Sequence, residues 1–188
     1  MIPSDHFVRF YNEVFKFLDR KNGLSKYYLE ISRHQELHCY SLFMAKGLEG
    51  MEEYWGNIRV EENCVSSSYV KDGVRCSEMK KCPSLSKVLD SDAMPCGKYC
   101  LHCPGWVLPL MTKCGFYSVA SIIGLDAPRC RFFETESLEK AQAIIAELIA
   151  KGDDKNLIFS NVGNAEEVEA NKSYRISLKE GNRSVIGS

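Results

Sequence analysis

The stretch VSSSYVKDGVRCSEM, residues 65–79, sets β-branched and small residues on both sides of Asp72-Gly73. That pair is the preferred centre of a two-residue hairpin turn, because both positions tolerate positive φ. A hairpin is therefore expected here. Upstream the pattern is helical. Phe7, Phe10, Tyr11, Val14, Phe15 and Leu18 recur at spacings of three and four, which predicts a helix over residues 5–20 with one aromatic stripe. The stripe reads as core, with a lipid or cofactor box as the minor alternative. A second helix is expected over residues 29–55, weakened or bent at Gly47 and Gly50.

Downstream, a helix runs through Trp106, Leu108, Leu110 and Met111 to a stop at Gly115. A second hairpin joins FYSVASII, residues 116–123, to RCRFFE, residues 129–134, across turn residues that include Gly124 and Pro128. Ser137 caps a further helix striped by Leu138, Ala141, Ile144, Ile145 and Leu148, which ends at Gly152. The order predicts one α+β domain over residues 1–152, with helices packed on an antiparallel sheet made of two β-hairpins. Residues 153–188 turn polar after Leu157-Ile158-Phe159 and are expected to form an edge strand or a partly ordered tail.

Twenty-four basic and 25 acidic residues leave a formal net charge of −1, so no basic excess is available to neutralise phosphates, and nucleic acid is not an expected partner. No long uncharged apolar run and no basic-then-apolar leader pattern appears, which points away from a membrane and towards a cytoplasmic protein. Nine cysteines, an odd number, fit thiolate ligands or buried thiols better than a disulfide framework. The exposed hairpin edge is compatible with a homodimer.

The chemistry concentrates in CPSLSKVLDSDAMPCGKYCLHCPGW, residues 82–106, which supplies Cys82, Cys96, Cys100 and Cys103. Two or three residues between thiolates let one backbone turn aim them at one centre, a geometry used by tetrahedral zinc and by iron–sulfur clusters. These four are the expected ligands of a Zn2+ ion or a [4Fe–4S] cluster, with Cys130 as the substitute should one prove idle. His102, inside the last pair, is the expected acid or base. Cys39, Cys64 and Cys114 read as small core hydrophobes. His34 and His38 stand at helical i, i+4 spacing and could chelate, although HQELH departs from the zinc protease motif. No phosphate loop or nucleophile elbow is present.

The Cys82-Pro83 step, the Tyr99-Cys100-x-x-Cys103 motif, the apolar helix after it and APRCRFFE, residues 127–134, together resemble the bacterial L-2-amino-thiazoline-4-carboxylic acid hydrolase-like family. More distantly they are similar to small-molecule-binding domains of the vinyl reductase type. The resemblance implies a ligand pocket between helices and sheet, with a zinc held by cysteines near it, the last of them in an ending similar to Cys130-Arg131-Phe132. The function expected is a cytoplasmic metal or iron–sulfur protein binding a small metabolite. Turnover would make it a metal-assisted hydrolase or lyase acting on C–N or C–S bonds; without turnover it would be a ligand or redox sensor with a structural metal.

Overall fold

The computed structural model describes residues 3–90, 92 and 94–186, with side chains for all of these except residues 3–5, 36, 37, 179 and 181–186. Among the described residues, helices α1 (Pro3–Arg20), α2 (Leu24–Arg33), α3 (Ser41–Lys46) and α4 (Leu48–Glu61) precede the hairpin of β1 (Val65–Lys71) and β2 (Val74–Lys81). Next come α5 (Pro83–Leu89), α6 (His102–Cys114), β3 (Tyr117–Ile122), β4 (Cys130–Thr135), α7 (Leu138–Ala150), β5 (Ile158–Ser160) and α8 (Ala165–Ile186). The strands form one antiparallel sheet in the order β1-β2-β4-β3-β5, so the expected α+β class is observed.

Both hairpins form where the turn chemistry places them. Asp72 and Gly73 have φ of 51° and 71°, the pair of positive values that a two-residue turn of matching twist requires. Ser137 caps α7, its hydroxyl oxygen accepting from the Lys140 N–H at 3.2 Å. Strand alternation then divides the core. Phe132 joins Phe43, Met51, Leu110, Met111 and Phe116 beneath α3, α4 and α6, whereas its neighbour Phe133 joins Tyr117, Val119, Ala141 and Leu148 beneath α7. The buried Arg75 donates to Glu52 at 3.0 Å and Glu134 at 2.9 Å, fastening α4 to the sheet.

Two expectations differ from the structure. The helix expected over 29–55 is three helices, α2, α3 and α4, with a π-helical turn over Glu36–Tyr40. Gly47 has φ of 63°, so the chain reverses there instead of continuing the helix. Residues 153–188 contain the edge strand β5, but the chain beyond that strand forms the 22-residue helix α8 and not an irregular tail. Its buried stripe, Val168 and Arg175, carries too few apolar residues to be read from hydrophobic periodicity. Asn171 donates to the Thr112 carbonyl at 3.0 Å and Arg175 to the Cys114 carbonyl at 3.0 Å, so α8 satisfies the open carbonyl end of α6. Arg175 also lies 4.0 Å over the Phe116 ring and pairs with Glu136 at 2.9 Å.

Candidate metal centre

Four thiols reach one small cavity from three parts of the chain. Cys82 is the residue before α5, held in an extended conformation that lets Pro83 open the helix. Its N–H donates to the Pro128 carbonyl at 2.7 Å, which ties the end of β2 to the loop before β4. The β2/β4 register pairs Met79 with Cys130, so the first residue of β4 lies close to Cys82. Cys100 sits in a 3-10 turn, Tyr99–Leu101, and Cys103 is the second residue of α6. Cys82, Cys100, Cys103 and Cys130, with His102, line a cavity of about 30 Å³. Among the described residues no group of three or more His, Cys, Asp or Glu side chains is placed so that it could hold a metal ion without rearrangement of the side chains.

The electrostatics record the convergence. Burial pushes the Cys100 thiol up to about 12, and the nearby Cys103 and Cys82 add to the rise. Burial likewise raises Cys103 to about 12. Cys82 and Cys130 are raised by burial first; Cys103 adds to both, and Cys82 and Cys100 add further to Cys130. Without a cation these groups stay protonated, because each thiolate would face low polarity and the field of the others. Burial also lowers His102, keeping the imidazole neutral at pH 7. Its Nδ1 lies 2.6 Å from the Tyr99 carbonyl, which can only accept, so Nδ1 carries the proton and Nε2, 3.3 Å from Cys103 Sγ, is the acceptor.

Cys96 does not line this cavity. It is buried among Phe15, Leu24, Tyr28, Leu85 and Val88, and its N–H donates to Asn12 Oδ1 at 2.8 Å. The residue named as substitute, Cys130, stands at the cavity instead. Cys39 and Cys114 are core thiols beneath the sheet. Cys64 is half-buried and lines a second, larger cavity. The histidine pair is not on one helix, since α2 ends at Arg33 and His38 lies in the π-helical turn. His34 is exposed, 4.0 Å from Glu30.

The larger cavity, about 1020 Å³, lies against the first and shares Cys82, Tyr99 and His102 with it. Its wall includes Phe7, Tyr11 and Phe15 from α1, so the N-terminal aromatic stripe lines a cavity as well as packing on the domain. Sequence reasoning assigned that stripe to the core. The signal for a wall was the excess of rings, of which Phe7 and Phe10 stay exposed. Asn12 anchors this wall to the cysteine loop, donating to the Met94 carbonyl at 3.2 Å while accepting from Cys96.

No family model matches the chain, and neither does any curated protein or solved structure. No helix among the described residues is long and apolar enough to cross a membrane.

Proposed function

We propose that this protein is a cysteine-ligated zinc protein that binds a small molecule beside its metal. The observation that carries the reading is the meeting of Cys82, Cys100, Cys103 and Cys130 at one cavity. Soft thiolates select zinc, copper(I) or iron–sulfur centres. A set of four cysteines, two of them in a Cys-x-x-Cys pair, is the set that structural zinc takes, so the reading adopted is Zn2+, with [4Fe–4S] as its rival. Binding would require the thiol rotamers to close on the ion and release their protons. Zinc there would supply a crosslink between the starts of α5, α6 and β4. Four protein thiolates leave no open position, which favours a binding or sensing module over a hydrolase. Nine free cysteines fit a reducing compartment such as the cytoplasm.

His102 supports the second reading, a metal-assisted hydrolase or lyase. It is neutral, held in one tautomer by the Tyr99 carbonyl, and lines both cavities, where it could accept a proton from a bound molecule.

Anaerobic purification followed by metal analysis and an absorption spectrum tests the centre. The expected result is a colourless protein with one zinc per chain, lost in Cys130→Ser and kept in Cys96→Ser. A broad visible band with iron and sulfide would replace the ion by a cluster. A protein that contains neither metal and takes up no added Co2+ would refute the centre altogether.

A further inference from the structure

We propose that the 1020 Å³ cavity takes a neutral, ring-bearing apolar molecule whose single polar group faces the wall shared with the thiol cavity. This deepens the binding reading above and rests on it for the identity of the site. The volume is that of a ligand pocket for a drug-sized molecule. Six aromatic residues, Phe7, Tyr11, Phe15, Tyr27, Tyr99 and Trp106, contribute to the wall, a lining that favours stacking and edge contacts with flat rings.

Charge argues against an ionic ligand. Among the described lining residues, Lys81 and Lys87 are matched in number by Glu62 and Asp90, so these residues give the wall no net charge. Polar recognition is instead local. Ser84 Oγ and Tyr99 Oη lie 2.6 Å apart and share one hydrogen, which leaves the pair with acceptor lone pairs and one further donor for a ligand hydroxyl or N–H. The polar end of the ligand therefore belongs beside Tyr99, Cys82 and His102, the residues common to both cavities.

The two tryptophans separate this site from the rest of the molecule, since Trp106 lines the cavity whereas Trp55 packs on Phe43 and Arg75. The test uses the full chain carrying Trp55→Phe, titrated with N-phenyl-1-naphthylamine, a neutral fluorescent diarylamine. Saturable energy transfer from Trp106 with one site and a dissociation constant on the order of 1–100 μM is expected. Cys64→Phe, which fills part of the cavity, should weaken it at least about tenfold while the far-ultraviolet circular dichroism stays unchanged. Non-saturating transfer, or cis-parinaric acid binding more tightly than the amine and displacing it, overturns the proposal, the latter by making the occupant an acyl chain. Zinc analysis of the same sample keeps the two readings apart. Saturable transfer in a protein that holds neither zinc nor an iron–sulfur cluster and takes up no added Co2+ upholds the ligand proposal and refutes the centre, and zinc without saturable transfer does the reverse.

Discussion

Gly115→Ala should be among the most destabilising single substitutions in this chain, through two effects that add. Gly115 ends α6 in the left-handed region, φ 72° and ψ 41°, where a Cβ costs about 1 kcal/mol. That Cβ would also stand 2.3 Å from the Lys172 nitrogen, 2.4 Å from its Cα and 2.8 Å from the Asn171 carbonyl carbon. These are backbone atoms, so no rotamer relieves the clash and α8 must retreat by about 1 Å to reach ordinary contact. Retreat weakens the bonds from Asn171 to Thr112 and from the buried Arg175 to Cys114, and a charged donor left short of its partner costs about 1.5–3 kcal/mol. The sum is about 3–5 kcal/mol, or a fall in Tm of about 6–20 °C for a chain of this size. Urea unfolding followed by circular dichroism measures it. Gly115→Asn separates the effects, because Asn tolerates the left-handed region but keeps the Cβ, and it should lose nearly as much. A loss of about 1 kcal/mol or less in both variants would mean that α8 does not pack on Gly115.

Gly105→Ala sets two effects against each other. Alanine gains about 1 kcal/mol of helix propensity, but its Cβ would lie 2.4 Å from Tyr28 Cδ2 and 3.1 Å from Tyr28 Cβ, and overpacking of this kind costs about 1–3 kcal/mol. Net destabilisation is expected in thermal melts, with a stability gain counting against the close approach of α2 and α6. Asp153→Asn tests acid sensitivity. Burial pushes the Asp153 carboxyl up, but the Ser121 hydroxyl and Arg131 guanidinium outweigh it and hold the pKa below the ordinary value. A depressed carboxylate contributes stability above its unfolded pKa of about 3.9 and loses it as pH falls through the folded value. The variant should lose about 1–2 kcal/mol at pH 7 and show a shallower decline below about pH 4 than the parent. An equal loss of unfolding free energy between pH 7 and pH 3 in variant and parent, measured by urea titration at each pH, would contradict this.

The candidate site was legible in part. Cys100 and Cys103 could be paired from spacing alone, since two intervening residues span one turn of backbone, here the 3-10 turn that leads into α6. Cys96 shares that local density but falls on a loop that turns its side chain towards Phe15 and Tyr28, a direction that spacing does not encode. Cys82 and Cys130 meet only because β2 and β4 pair in one register and the Cys82 N–H finds the Pro128 carbonyl. The large cavity was hidden for a related reason. An aromatic stripe looks the same whether it covers a core or lines a cleft, and the difference lies in how far apart the neighbouring elements stand.

From the amino-acid order alone came the elements whose causes are local: the Asp72-Gly73 turn, the Ser137 cap, the Gly115 and Gly152 stops, and the apolar stripe of α7. Each depends on conformational limits or hydrogen bonds within a few residues, so neighbours in sequence suffice to specify it. Tertiary packing decided the rest. Strand register chose which four thiols share a cavity, and the open carbonyls of α6 made a helix of a polar segment by giving Asn171 and Arg175 partners that no local pattern announces.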